Sequence, residues 1–229
     1  MQSTKIEWVK NPNNATQGYT SNPVKGKCPI ACSYCYARAL YDRFGWDKTI
    51  RFDVEELLAI EKHKKPAGIF LGSTFELFWD NLERFWQDSI FRTIRNCPQH
   101  RFYFLTKQPQ NLSKFSPFPL NCWVGITVTE KSKLLIALDA LDDIQCKVRY
   151  LSFEPLLSDF HIPDLDILLG GTIDWVIIGG QTGKHRFNPP EEWIKEIEDA
   201  CDKARVPVFE KDNLRKIWER APRQEVPSG

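Results

Sequence analysis

Lys27-Cys-Pro-Ile-Ala-Cys-Ser-Tyr-Cys-Tyr36 spaces three cysteines, Cys28, Cys32 and Cys35, as C-x3-C-x2-C, with the aromatic Tyr34 just before the last. Three thiols this close suit thiolate ligation, which both iron–sulfur clusters and zinc accept. A structural zinc site normally closes with four protein ligands and commonly uses C-x2-C pairs. Here one spacing is three, and no fourth Cys or His lies close in sequence. The motif therefore favours a [4Fe-4S] cluster with three irons held and the fourth left without a protein ligand. A remote ligand such as His63 keeps zinc open as the alternative. Pro29 and Ala31 suit a compact loop.

Outward from this loop, apolar β-rich runs alternate with helical patterns. Strands are expected at Ile69–Leu71, Phe102–Leu105, Trp123–Val128, Val148–Leu151, Trp175–Ile178 and Val206–Phe209, with a short first strand near Gly18–Asn22. Helices are expected at Val54–His63, with Asp53 as N-cap, and at Asn81–Arg95, Ser132–Leu141 and Glu191–Lys203. The last follows Asn188-Pro-Pro190, and proline tolerates a first helical turn. Such alternation without hairpin signals implies a parallel α/β sheet. A full eight-unit barrel typically takes roughly 250 residues; this chain has 229. The expectation is a single domain over residues 1–229, an incomplete (β/α) TIM-like barrel of about six or seven parallel strands. A doubly wound open sheet stays open on pattern alone, and both place ligands at the carboxyl ends of strands.

A net charge of +1 gives no global field for nucleic acid or membrane. No apolar run approaches the roughly 20 residues that span a bilayer. The start, Met1-Gln-Ser-Thr-Lys-Ile-Glu-Trp8, has no apolar signal region. A cytoplasmic protein with no membrane partner is expected, and in a reducing compartment seven cysteines favour metal binding over disulfides. Cys97, Cys122, Cys146 and Cys201 read as small buried hydrophobes, with no second cluster.

Further segments accompany the cysteine motif: Ile6-Glu7-Trp8, Asn22-Pro-Val-Lys-Gly-Lys-Cys28, Ile69-Phe-Leu-Gly-Ser73, Phe104-Leu-Thr-Lys107, Val124-Gly-Ile-Thr-Val128, Leu151-Ser-Phe-Glu-Pro-Leu-Leu157 and Asp174-Trp-Val-Ile-Ile-Gly-Gly-Gln181. Together they resemble a radical-SAM-like family of uncharacterised proteins first named from phage genomes, within the radical-SAM superfamily. The resemblance implies a partial barrel and S-adenosylmethionine chelated at the open iron. It also implies reductive cleavage of that sulfonium to a 5′-deoxyadenosyl radical, which abstracts a substrate hydrogen. A reductant such as flavodoxin or ferredoxin would supply the electron. The substrate is not named; a nucleic acid or nucleotide is one candidate, by analogy with the phage association. Tyr34 would shield the cluster or stack beside the adenine.

Polar residues at the strand exits are the remaining site candidates. Gly72-Ser-Thr-Phe-Glu76 partly matches the superfamily stretch that contacts the methionine amino group, so Ser73, Thr74 and Glu76 carry over as cofactor-binding; they equally suit a helix cap and acidic first turn. Thr106 and Thr127 suit ribose hydroxyls, with helix capping as their alternative. Lys107 suits the methionine carboxylate, or is a solvated loop lysine. Glu154, between an apolar strand and Pro155, is positioned to bind substrate or move a proton. Lys211, beside Asp212 at another exit, is the second catalytic candidate. Gln181 follows two glycines that admit a ligand to the backbone. Gly179-Gly-Gln-Thr-Gly-Lys184 imitates a phosphate loop, but Ile178 and His185 break the pattern. The rival reading of the whole chain is a binding module, stabilised by zinc or an iron–sulfur cluster, without turnover.

Overall fold

A computed structural model describes residues 1–183, 186–215 and 220–228. Its strands are β1 (Gln2–Ser3), β2 (Tyr19–Ser21), β3 (Val24–Lys25), β4 (Arg51–Phe52), β5 (Gly68–Leu71), β6 (Arg101–Thr106), β7 (Cys122–Thr127), β8 (Val148–Phe153), β9 (Trp175–Ile178) and β10 (Val208–Glu210). Its α-helices are α1 (Tyr36–Phe44), α2 (Val54–Lys62), α3 (Arg84–Asn96), α4 (Leu134–Asp142), α5 (Leu165–Leu169) and α6 (Glu191–Ala204).

Eight strands form one sheet in the order β1-β2-β5-β6-β7-β8-β9-β10. Seven of them, β2 and β5 to β10, run parallel, in line with the expected number. The absence of antiparallel pairing does not hold: β1 joins β2 antiparallel, and β3 and β4 form a small antiparallel pair. These strands are only two or three residues long, too short for an alternating pattern to announce them.

Side chains alternate across each strand and sort the apolar residues into two layers. On one face Ile69, Phe102, Val124, Leu151 and Val176 pack with helix residues such as Ile60, Ile94, Leu138 and Ile197. On the other, Phe70, Tyr103, Trp123, Tyr150, Trp175 and Phe209 cluster around Trp8. The Trp8 ring lies 5.0 Å from Phe70 on β5 and 6.3 Å from Trp175 on β9. Those strands are four positions apart, about 19 Å in a flat sheet. The sheet therefore curls around Trp8, which fills its concave side. Gly125 lies on this face, and a Cβ there would stand 2.3 Å from the Tyr150 ring. Its absence lets Tyr150 lie flat and donate from its hydroxyl to Phe104 O at 2.7 Å.

The edges are β1 and β10, and no strand pairing joins them among the described residues. Instead Glu7 Oε1 accepts from Asp212 N at 3.1 Å, tying the segment before Trp8 to the exit of β10. The outer edge of β10 is covered by the C-terminal segment: Glu210 N donates to Arg223 O at 2.7 Å and Glu225 N to Val208 O at 3.0 Å. A covered edge is protected from pairing with other chains.

Element ends move slightly from the expected ones. The helix expected from Asn81 starts at Arg84, because Leu82 N closes a turn on Trp79 O at 3.0 Å. A 3₁₀ turn, Lys131–Lys133, precedes α4. The last strand starts at Val208, after Pro207, which has no N–H for the ladder. Asp53 caps α2, accepting from Glu55 N at 3.2 Å. Among the described residues no helix is long and apolar enough to cross a membrane.

Candidate active site

The residues that follow five of the seven parallel strands wall a cavity of about 400 Å³ at their carboxyl ends. Gly72 to Glu76 come from the exit of β5, Lys107 from β6, Glu154 and Pro155 from β8, Gly180 to Thr182 from β9, and Lys211 from β10. Trp8 and Phe70 contribute from the concave aromatic layer. The loop between β3 and α1 brings Cys28, Cys32 and Cys35 to this same cavity, with Tyr34 and Tyr36.

Local structure shapes that loop. Ala31 adopts a left-handed φ of 56°, uncommon for a residue with a Cβ, and turns the chain between Cys28 and Cys32. Cys35 N donates to Cys32 O at 3.1 Å, and Cys35 is the residue from which α1 starts. Arg38 on α1 reaches back to Cys28 O at 2.6 Å. All three thiols are free and partly exposed. Burial pushes the Cys28 thiol up; a bound cation would reverse that preference. Among the described residues no three His, Cys, Asp or Glu side chains are drawn together as a metal site. The donor set nevertheless fits a thiolate-held group with one open position: three cysteines on one cavity, at the rim where this architecture binds ligands. His63, the remote zinc ligand considered above, packs 5.1 Å from Tyr19 and 5.7 Å from His100. Tyr19 opens β2 and His100 immediately precedes β6, so His63 sits at the opposite end of the strands from the cysteines.

The other candidates divide. Tyr34 lines the cavity; burial and the neighbouring Cys32 push its phenol up, against a hydrogen bond with Thr129. Ser73 and Thr74 line it as well, and both hydroxyls donate to Asn22 Oδ1, at 3.2 and 3.0 Å. Their lone pairs stay available to a ligand donor. Glu76 also borders the cavity but is 7% exposed, and its carboxylate is engaged by the protein. Oε1 accepts from Thr106 Oγ1 at 2.8 Å and Phe78 N at 3.1 Å, and Oε2 from Lys107 N at 2.9 Å. This clamps the exit of β5 to that of β6. Thr106, fully buried, is not among the lining residues, because its hydroxyl faces Glu76. Thr127 is also outside the lining and accepts from Lys107 Nζ at 3.3 Å. Lys107 itself lines the cavity, and among the described residues its ammonium has no carboxylate partner.

Glu154 and Lys211 form an ion pair on the cavity wall. Burial works against the Lys211 ammonium, but Glu154 outweighs it and raises its pKa. The pair passes over Gly179, where a Cβ would lie 3.0 Å from Lys211 Cδ and 3.2 Å from Glu154 Cγ. Gln181 lines the cavity, and its loop is pinned by Asn213, which accepts from Gly180 N at 3.2 Å and donates to Gly180 O at 2.8 Å. Asp212 opens a 3₁₀ turn and accepts from Arg215 Nε at 2.8 Å. Lys184 and His185 of the phosphate-loop-like stretch lie outside the described residues. Cys97, Cys122 and Cys201 are buried, in keeping with their reading as small hydrophobes, and burial raises the Cys122 and Cys201 thiols. Cys146 is only partly buried, its thiol pushed up to about 11 by burial and donating to Val148 O at 3.4 Å. Trp8 and Tyr36 were missed as cavity residues. Trp8 had a signal in the Ile6-Glu7-Trp8 segment; Tyr36, whose hydroxyl donates to Ser73 O at 3.1 Å, had only its place after the cysteines.

A partly wrapped, mostly parallel α/β sheet with three cysteines on the mouth of its strands is the class of protein defined so far. The chain belongs to the family described as "Protein of unknown function (DUF5131)", whose model matches residues 3–221. Its fold is similar to that of a radical SAM methyltransferase from Sphaerobacter thermophilus, with a TM-score of 0.58 and 12% identity, over 84% of this chain and 65% of that one. A 33-residue stretch is 48% identical to Actin-related protein 3 of Saccharomyces cerevisiae. It covers 14% of this chain and 7% of that protein, too little to bear on fold or activity. The chain thus spans just under two thirds of the matched structure and a small fraction of the yeast protein.

Proposed function

We propose that this protein is a radical S-adenosylmethionine enzyme. The observation that carries the reading is the placement of Cys28, Cys32 and Cys35 on one cavity at the carboxyl ends of the parallel strands. These cysteines would hold a [4Fe-4S] cluster. When bound, that cluster and S-adenosylmethionine supply one-electron reductive cleavage and a carbon radical; flavodoxin or ferredoxin is the proposed class of electron donor.

The chain's own residues position and enclose. Lys107, held by Thr127 and with no carboxylate partner among the described residues, offers its ammonium to the methionine carboxylate. Ser73 and Thr74 offer acceptor lone pairs for the methionine amino group, fixed by Asn22. Tyr34 lies over the cysteine side of the cavity and shields it from water. Glu76 and Thr106 act one step removed, by clamping the β5 and β6 exits so that Lys107 and Ser73 keep their places. Glu154 and Lys211 form an ion pair on the cavity wall, where either can bind a polar substrate group or exchange a proton with it.

The test is anaerobic reconstitution with iron and sulfide, followed by metal and sulfide analysis and a search for 5′-deoxyadenosine after adding S-adenosylmethionine and dithionite. The reading expects four irons per chain (the [4Fe-4S] stoichiometry) and 5′-deoxyadenosine. One zinc per chain with no iron, and no nucleoside product, would replace it with a metal-stabilised binding module.

A further inference from the structure

Beside the cysteine-lined cavity lies a larger one of about 810 Å³. Tyr36, Ser73, Thr74 and Lys211 line both, so a molecule in the second reaches the first past a thin wall of side chains. The far side of the second cavity comes from the segment joining α1 to β4, through Trp46, Asp47 and Arg51.

That segment is unusual in chemistry. Tyr36, Phe44 and Trp46 are each about half exposed, at 50%, 55% and 48%. Core packing does not call for three exposed rings so close together. Phe44 and Trp46 stack at 5.6 Å with their planes 21° apart, and Tyr41 meets Trp46 edge-on at 5.5 Å. The Arg43 guanidinium lies 5.2 Å over the Phe44 ring. These contacts hold Phe44 and Trp46 against each other while both stay about half exposed. The charge is local as well: residues 24–51 carry six Lys or Arg against two Asp, in a chain whose total is +1. The pairs Arg51–Asp47 and Lys27–Asp42 include exposed partners, and such pairs yield readily to a competing anion. Lys5, also lining the cavity, has no carboxylate partner among the described residues.

We infer that the second cavity receives one nucleotide unit of a single-stranded nucleic acid. The base stacks on Trp46 or Tyr36, and the flanking phosphates meet Lys5 and Arg51. This rests on the radical reading and names its substrate class. Aromatic platforms along a positive groove are how proteins hold single strands, since every base has a π-face. A base stacked in a duplex has no access to such a cavity. A free nucleotide would need the cavity alone, whereas the exposed Phe44 ring and the positive charge of residues 24–51 continue beyond it.

The experiment is a fluorescence-anisotropy titration of the reconstituted full chain with a short fluorescein-labelled single-stranded DNA, at low and at physiological salt. Binding that weakens steeply with salt is expected. Trp46→Ala should raise Kd by about ten-fold or more, and the exposed Lys5→Glu should raise it too while the melting temperature holds. No binding at low salt, or displacement of the strand by an equimolar mononucleotide, would overturn the inference. Cleavage of S-adenosylmethionine is assayed on the same preparation. Cleavage without DNA binding removes this inference alone, and DNA binding without cleavage removes the radical reading but keeps the strand site.

Discussion

Lys211 and Glu154 pair across the exits of two strands, β10 and β8, that are not neighbours; β9 runs between them and ends at Gly179, directly beneath the pair. Two charges are thus brought together over a residue with no side chain. Removing either partner leaves the other half-desolvated. Lys211→Met or Glu154→Gln alone should lower stability by about 1–3 kcal/mol. The double variant should lose clearly less than the sum, as expected for groups in contact. Urea denaturation of the four proteins checks this; additive losses would mean the pair is absent in solution. The Lys211 pKa is raised in the fold, so this stability is present below its unfolded value and is lost only as pH rises past the folded one. Lys211 therefore adds no pH dependence through neutral pH.

Gly179→Ala places a methyl group 3.0 Å from Lys211 Cδ and 3.2 Å from Glu154 Cγ. Flexible side chains can yield a few tenths of an ångström, so the fold should survive with the pair displaced. The expected outcome is loss of the Lys211–Glu154 coupling energy in the same cycle with a modest fall in Tm. Unchanged coupling would show that the pair does not cross Gly179.

Glu76 separates two roles by experiment. As a ligand-only residue, Glu76→Gln would weaken S-adenosylmethionine binding and leave stability intact. The three hydrogen bonds it accepts predict otherwise, because an amide turns one acceptor into a donor facing N–H and O–H groups. The variant should lose about 1–3 kcal/mol of stability, and Thr106→Val should lose part of that. Chemical denaturation without cofactor is the check; wild-type stability would return Glu76 to a ligand role.

Much of the scaffold was legible because the main strands are apolar runs of three to six residues separated by amphipathic helices, and each obeys a local period. The cysteine loop was legible because its spacing is itself the chemistry. The helix α1 was not foreseen: Tyr-Ala-Arg-Ala-Leu-Tyr-Asp-Arg-Phe buries only Ala37 and Tyr41 and has no side-chain cap. The place of Trp8 was not foreseen either, since it lies outside any strand and its partners are 62 to 167 residues away. The same holds for Glu76 with Thr106, an engagement across 30 residues that no local pattern records. Thr106 and Thr127 end strands, a place that suits either a ribose contact or a helix cap; in the fold Thr106 turns toward Glu76 and Thr127 accepts from Lys107.

Acid should act through Glu56. Burial alone would raise this carboxyl, but Lys25, the Met1 amino group and Ser21 all donate to it and hold its pKa at about 2. A depressed carboxylate contributes stability above its unfolded pKa of about 4.5 and loses it as pH falls toward 2. Urea midpoints measured between neutral pH and about pH 3 should fall, and Glu56→Gln should flatten that part of the profile. An identical acid slope in the variant would assign the loss to other groups.

Electron paramagnetic resonance of the anaerobically reconstituted, reduced protein, recorded with and without S-adenosylmethionine, tests the central claim most directly. The account predicts a [4Fe-4S]⁺ signal that changes on adding S-adenosylmethionine in the wild-type chain. It predicts no such signal in Cys32→Ala, whose circular dichroism stays that of the folded protein. A cluster signal indifferent to S-adenosylmethionine, or one that survives loss of Cys32, would contradict it.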